Sequence, residues 1–208
     1  DKSISLKEAE DYYANKKSPN PRQPLSFGLN SKLVRDANGK IVEKVYRSGG
    51  MYGAAIDKII FWLEKAKGVA ENKKQADALA LLIDFYKTGD LKTWDDYNIA
   101  WLGATDGNID YINGFIEVYN DPLGYRGSYE AVVQIKDFDM SAKMEVVSKN
   151  VQWFEDNSPL LPEHKKKNVV GVSYKTVIVA GESGDSSPTT PIRLNLPNPD
   201  WSRSEHGS

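Results

Sequence analysis

The chain has 208 residues with 27 Lys or Arg and 29 Asp or Glu, and this near-neutral balance gives no indication of a nucleic-acid or membrane surface as the main partner. Its length suffices for one large domain or two small ones, and no apolar run approaches the roughly 20 residues that span a bilayer. It contains no cysteine, which excludes disulfides, thiolate zinc sites and a cysteine nucleophile. The compartment stays open, and we favour the cytoplasm.

The N-terminal region predicts a short helix and a hairpin. Ser5, followed three residues later by Glu8, has the form of a capping box, so we expect a polar helix over residues 6–16. Asn38-Gly39 lies between two alternating segments, and this dipeptide is the strongest short-range signal of a β-hairpin. A hairpin is therefore expected around residue 38.

Three further helices are expected before residue 103. One begins after Gly49-Gly50 and repeats its apolar residues at helical spacing. A second, over residues 76–87, follows a capping residue at Asn72 and ends before a glycine. A third covers residues 93–102. The first half of the chain is therefore predicted to be mostly helical.

Residues 111–119 alternate between two faces of a predicted strand. One face is apolar and should pack into the core (Ile112, Gly114, Ile116, Val118). The opposite face carries Tyr111, Asn113, Phe115, Glu117 and Tyr119. Side chains two apart on a strand are separated by about 6.5–7 Å along the chain, which allows Glu117 and Tyr119 to contact one small ligand. The alternating pattern alone favours the other interpretation, a solvent-facing pair of side chains without function.

The second half predicts a sheet interrupted by a helix. A strand over residues 129–136 follows a turn, and a single long helix with an apolar stripe is expected over 138–156. Residues 169–181 form a β-branched run, and 181–190 read as a flexible segment. A last strand over 192–196 precedes a proline, which places it at a sheet edge. The predicted class is α+β.

A metal site inside the chain is not expected. The two histidines, His164 and His206, have no metal-ligand spacing, and zinc would need several carboxylates in addition. Residues 49–53 are glycine-rich but lack the motif of a phosphate-binding loop, so they indicate a tight strand-to-helix junction.

Four runs, in order and at matching spacing, resemble the zinc-dependent dipeptidyl peptidase III family. They are YINGFIEVYNDP at 111–122, GYRGSYE at 124–130, MSAK at 140–143 and LNLPN at 194–198. The family has two lobes, with zinc held by H-E-x-x-G-H and E-E-x-R-A-[DE] motifs in one of them. This chain contains neither motif, so the resemblance implies zinc bound by a part of the enzyme absent from this chain.

The resemblance also implies an architecture. It is a helical N-terminal half followed by a mixed or antiparallel β-barrel-like sheet that one long helix interrupts. Residues 1–137 and 174–208 would form the substrate-binding lobe. Residues 138–173 would be a helical excursion that packs with the absent zinc lobe.

The family's functional residues carry over to four positions. Tyr119 matches a catalytic tyrosine that stabilises an oxyanion, and Glu117 matches a glutamate that pairs with the substrate's α-ammonium group. Asn195 and Asn198 match asparagines that bind the same end of the substrate. No metal ligand is expected within the chain.

The implied function is the substrate-binding part of a zinc metallo-exopeptidase that releases dipeptides from the N-termini of peptides. As an isolated fragment the chain would be inactive. The expected partners are peptides and the zinc-binding lobe of the same polypeptide, without nucleic acid or membrane. The alternative, from another class, is a non-catalytic peptide-binding or interaction module.

Overall fold

The computed structural model describes residues 3–169, 176–187 and 196–207. Within these ranges the chain forms helices and two antiparallel sheets, which confirms the α+β class. The helices are α1 (Leu6–Ala14), α2 (Gly53–Gly68), α3 (Lys73–Thr88), α4 (Leu91–Leu102), α5 (Phe138–Lys149), α6 (Val151–Asp156) and α7 (Asp200–His206), with a 3-10 turn at Pro162–His164. The strands are β1 (Ser31–Arg35), β2 (Ile41–Val45), β3 (Ile109–Phe115), β4 (Tyr129–Lys136) and β5 (Val177–Gly184).

The start of α1 is the predicted capping box. The Ser5 hydroxyl accepts a hydrogen bond from the Glu8 amide, and the Glu8 carboxylate accepts one from the Ser5 amide at 2.9 Å. These hydrogen bonds from Ser5, with a further one from Arg35, lower the pKa of Glu8 to about 2. Since Arg35 belongs to β1, the cap also ties the helix to the hairpin.

The predicted hairpin is formed by β1 and β2, which pair from Ser31↔Val45 to Arg35↔Ile41. Its turn is stabilised by the Asp36 carboxylate, which accepts hydrogen bonds from the amides of Asn38 and Lys40, both at 2.9 Å. The prediction from the Asn-Gly dipeptide is therefore confirmed.

Helices α2, α3 and α4 pack in succession and supply most of the core. The Asn72 side chain caps α3 as predicted, accepting a hydrogen bond from the Gln75 amide at 3.0 Å. Gly89 ends the same helix in the left-handed conformation, with φ of +74°. The buried side chains of α2, α3 and α4 include Ile56, Leu79, Leu82, Ile83, Phe85, Tyr86 and Trp94.

Strands β3, β4 and β5 form a three-stranded sheet in that order, and β1 and β2 form a separate pair. In the part of the chain that the structure describes, neither sheet closes on itself, so the barrel-like sheet is not supported. Residues 181–184 belong to β5, so the prediction of a flexible segment starting at 181 was wrong there. Residues 170–175 and the predicted strand residues 192–195 lie outside the described residues.

The second half of strand β3 is covered on both faces. Ile112, Gly114 and Ile116 are buried as predicted. Phe115 of the opposite face is also buried, with its ring 5.0 Å from that of Tyr46 and 5.9 Å from that of Tyr129. The predicted apolar face is confirmed, whereas the opposite face runs from Ile109, which is 45% exposed at the start of the strand, to the buried Phe115 at its end.

The single long helix predicted over 138–156 is two helices that meet at Asn150, and this prediction was wrong. Asn150 leaves the helical conformation with φ of −106°, and its side-chain amide donates to the Val146 carbonyl at 2.7 Å. An asparagine side chain that bonds nearby backbone competes with the helical pattern, which accounts for the break. No helix of the described ranges has the length and apolar character needed to cross a membrane.

Candidate functional site

The site begins where β3 loses its regular pairing with β4. The Ile116 amide donates to the Ser128 carbonyl at 2.9 Å, and the Ser128 amide donates to the Glu117 carbonyl at 2.8 Å. Two residues on one strand therefore share a single partner, which is the hydrogen-bond pattern of a β-bulge. The extra residue interrupts the period of two. Strict alternation therefore does not assign a face to Glu117.

Tyr119 lies on the loop after the bulge and is 70% exposed. The next residue, Asn120, fixes this loop to both neighbouring strands. Its side-chain amide donates to the Ser128 hydroxyl at 3.3 Å and to the Asp185 carboxylate at 2.8 Å. The loop that carries the phenol is thus held between the start of β4 and the end of β5.

Glu130 is a buried acid at the same end of the sheet. It lies on β4, opposite Gly114 of β3 and Gly184 of β5, and it is only 6% exposed. Its Oε2 atom accepts a hydrogen bond from the Ser186 hydroxyl at 3.3 Å, whereas its buried Oε1 atom has no hydrogen-bond partner.

Glu117, Glu130 and Asp185 form a group of carboxyl groups that we call the acidic cluster. Burial raises the pKa of Glu130, and the negative charges of Glu117 and Asp185 raise it further, while the Ser186 hydroxyl lowers it. Over residues 3–169, 176–187 and 196–207, none of the three acids takes part in an ion pair. No cationic side chain of these ranges is therefore paired with the cluster.

The phenol of Tyr119 stays protonated at neutral pH. Partial desolvation raises its pKa above the usual value of 10.0, and the charges of Glu130, Asp185 and Glu117 add to this increase. A neutral phenol donates a hydrogen bond to a developing oxyanion. The site thus combines a negatively charged cluster with an exposed neutral donor.

The described residues do not fit a zinc ion. They contain no group of three or more His, Cys, Asp or Glu placed to hold a metal. The Nε2 atom of His206 lies 3.9 Å from the Glu205 carboxylate in α7. One histidine and one carboxylate are fewer ligands than a zinc site requires.

The structure brings Glu117 and Tyr119 together but places Asn198 in a different setting. Asn198 is exposed and lines a cavity of about 440 Å³ with Val118 and Ile116, and neither Glu117 nor Tyr119 lines that cavity. The fourth predicted residue, Asn195, lies outside the described residues. The grouping of all four predicted residues thus stays a prediction.

The sequence interpretation missed Glu130, Asp185 and Ser186. A signal for Glu130 exists, because strand alternation places it on the same face as the fully buried Val132. A charged residue on a buried face is unusual enough to mark a site. Asp185 and Ser186 carry no comparable signal, since their position depends on the pairing of β5 with β4.

Comparisons with known proteins identify relatives of this chain. The family model described as Peptidase family M49 matches residues 27–207. Dipeptidyl peptidase 3 of Rattus norvegicus and that of Homo sapiens are each 28% identical over 158 residues, which cover 76% of this chain and 21% of theirs. The chain therefore spans about a fifth of the length of these relatives.

The fold has a counterpart among solved structures. The structure of DPP III from Caldithrix abyssi matches with a TM-score of 0.77 at 23% identity, covering 99% of this chain and 38% of that one. At 23% identity, this match shows that the two chains share a fold. Because the family model covers most of the chain, the resemblance noted from the sequence is confirmed, and the chain belongs to peptidase family M49.

Proposed function

We propose that this chain is the substrate-binding part of a zinc metallo-exopeptidase that releases dipeptides from the N-termini of peptides. The observation that carries the proposal is the uncompensated acidic cluster beside the neutral phenol of Tyr119. A free peptide N-terminus is a cation with hydrogen-bond donors, and it meets the chemical requirement of such a cluster.

Glu117 is proposed to pair with the α-ammonium group of the peptide. It is half-buried at the β-bulge, where the backbone holds it between β3 and β4. A charge-assisted hydrogen bond at a fixed position sets the depth at which the N-terminus binds. The second peptide bond then lies at a constant distance from Glu117, which explains release of dipeptides.

Tyr119 is proposed as the catalytic residue of this chain. Its neutral hydroxyl would donate to the carbonyl oxygen that becomes negatively charged as the peptide bond is attacked. The hydroxyl is exposed and lies on a loop anchored by Asn120, so substrate has access to it. Asn195 and Asn198 are proposed to bind the same N-terminal end of the peptide.

The assignment of lobes follows the same reasoning. Residues 1–137 and 174–208 are proposed as the substrate-binding lobe, and 138–173 as an excursion that packs with a zinc-binding lobe. Large apolar side chains on this excursion are exposed, as expected of a face that another part of the polypeptide covers. They are Phe138, Met140, Val146, Trp153, Phe154, Leu160 and Leu161.

Zinc is proposed to be held by residues outside this chain. When bound, it would supply the activated nucleophile, and the present residues would bind and orient the peptide. The chain alone is therefore proposed to bind peptides without cleaving them.

The proposal is tested by comparing two peptides, tetra-alanine with a free N-terminus and N-acetyl tetra-alanine, by calorimetric titration at pH 6. The free peptide should bind about tenfold more tightly or better, because acetylation removes the ammonium charge. Glu117→Gln should reduce this preference. The matched control is Glu10→Gln, which removes an exposed carboxylate on α1. Equal affinity of the unaltered chain for both peptides would refute the proposal.

A further inference from the structure

Asn120 connects the loop that carries Tyr119 to two separate strands of the sheet. Its side-chain amide donates one hydrogen bond to the Ser128 hydroxyl at 3.3 Å, just before β4, and one to the Asp185 carboxylate at 2.8 Å, just after β5. The bond to Asp185 has an ionised acceptor, which makes it the stronger of the two. A single side chain therefore joins the loop to both strands.

Tyr119 and Asn120 are the two central residues of one tight turn. The Asp121 amide closes this turn by donating to the Val118 carbonyl at 2.9 Å. The two central residues share one planar peptide group, so a side chain that fixes Asn120 also fixes the backbone from which the Tyr119 phenol extends. The phenol is 70% exposed. Its direction therefore depends on the turn more than on packing around the ring.

The acceptor at Asp185 has a fixed backbone. Its amide donates to the Tyr129 carbonyl at 2.9 Å. The preceding Gly184 is in the left-handed conformation with φ of +69°, and an added Cβ there would overlap the Tyr129 carbonyl oxygen. Glycine is required for this close approach. The carboxylate that accepts from Asn120 is thus tied to β4 through two consecutive residues.

The acceptor at Ser128 is fixed in a similar way. Its carbonyl accepts from the Ile116 amide at 2.9 Å, and its amide donates to the Glu117 carbonyl at 2.8 Å. These are the two hydrogen bonds of the β-bulge. Both partners of Asn120 are therefore held by backbone hydrogen bonds, and they form a rigid support for the turn.

We propose that Asn120 and Asp185 are positioning residues for Tyr119, and that their hydrogen bond holds the turn in the orientation in which the phenol donates to the developing oxyanion. This inference rests on the proposed function, in which Tyr119 is the catalytic residue, and it adds two residues that act through Tyr119. An oxyanion donor is effective only within hydrogen-bond distance of the developing charge, and a misplacement of about 1 Å is enough to reduce a rate about a hundredfold.

The hydrogen bond is tested in the full-length polypeptide by the release of di-alanine from tetra-alanine. Asn120→Asp replaces the donor with a second carboxylate that faces Asp185, so the contact becomes repulsive. The kcat should fall about tenfold or more and KM should change by less than about twofold, because the phenol acts on the charge of the transition state. Asp185→Ala removes the acceptor instead and should show the same separation of kcat from KM. It also provides the test if Asn120→Asp does not fold.

An exchange of the two side chains identifies the contact. In Asn120→Asp combined with Asp185→Asn, the new amide donates to the new carboxylate, and kcat should recover to within about threefold of the unaltered enzyme. The matched control is Asn38→Asp, which makes the same change at an exposed position in the turn between β1 and β2. It should leave kcat and KM unchanged.

The dependence on Tyr119 is tested by combining variants. In a Tyr119→Phe background, Asn120→Asp should lower kcat by less than about twofold further, because the hydroxyl that it positions is already absent. A residue that only stabilises the fold would lower kcat by the same factor in both backgrounds.

Different results separate the two proposals. Failure of the full-length polypeptide to release di-alanine, or an unchanged kcat in Tyr119→Phe, would contradict the proposed function. A reduced kcat in Tyr119→Phe together with an unchanged kcat in Asn120→Asp would overturn the positioning role alone. That role would also be overturned by a loss that the exchange of side chains does not relieve, or by one that is equally large in the Tyr119→Phe background.

Discussion

Asp95 shows at the residue scale how burial raises the pKa of a carboxyl group. It lies on α4, is 4% exposed, and burial raises its pKa to about 7. The neighbouring Asp96 and Asp90 act in the same direction, while Lys92 opposes them. In an unfolded chain the same group titrates at about 3.9. The folded chain therefore holds a proton between about pH 4 and pH 7 that the unfolded chain has lost.

The sign of this shift yields a stability prediction. The contribution of Asp95 to the free energy of unfolding falls as pH rises from about 4 to about 7, and the penalty is complete above that range. Asp95→Asn should therefore be more stable than the unaltered chain at pH 8, by about 1–3 kcal/mol, and nearly equal at pH 4. Urea unfolding at several pH values measures the difference.

The control for Asp95 is the next residue. Asp96→Asn removes a surface carboxylate paired with Lys92 and should change stability by less than about 1 kcal/mol. A difference between Asp95→Asn and the unaltered chain that does not vary with pH would contradict the account.

Residue-level predictions succeeded where the determining contact is local. The caps at Ser5 and Asn72 and the turn at Asn38 depend on neighbours within four residues, and sequence spacing reveals them. Glu130 differs, because its environment includes Asp185 and Ser186, which lie more than fifty residues away, just after the strand that pairs with its own. No local pattern contains that information.

At the scale of elements, β3 packs against α4 through a glycine. An added Cβ at Gly114 would lie 2.3 Å from Cη2 of Trp94 and 2.7 Å from its Cζ3. Trp94 is buried, so its ring has little room to move away. Gly114 is therefore required for the close approach of α4 to β3.

Gly114→Ala should destabilise the chain by about 1–3 kcal/mol, the usual cost of forcing extra volume into a packed core. Gly181→Ala on β5 is the matched control, because its added Cβ would meet nothing within 4 Å. Combining Gly114→Ala with Trp94→Phe should recover part of the loss. Unchanged urea unfolding of Gly114→Ala would show that the close approach is not a constraint.

The locations of helices and strands were predicted better than the residues at which they end. The alternation of residues 111–119 correctly located β3, but the strand ends at Phe115 because the bulge at Ile116 and Glu117 interrupts the ladder. One extra residue reverses the face of every later side chain, so alternation cannot assign faces beyond it. The break at Asn150 was missed for a similar reason, since the apolar stripe continues across it.

At the scale of the whole molecule, the chain presents two kinds of exposed surface. One is the acidic cluster with Tyr119, and the other is the apolar face of α5 and α6. The sequence predicted an apolar stripe on the helical segment after residue 137, whereas the sheet arrangement that forms the first surface depends on strand pairing over long distances. The match to its dipeptidyl peptidase 3 relatives covers about 21% of their length.

The central claim is that the N-terminus of a peptide binds at the acidic cluster. The most direct test is an NMR titration of the isotopically labelled chain with tetra-alanine, monitoring backbone amides. We predict that the largest shifts occur in residues 116–120, 128–130 and 184–186. Shifts concentrated instead on the exposed Phe61 and Trp62 of α2 would contradict the account.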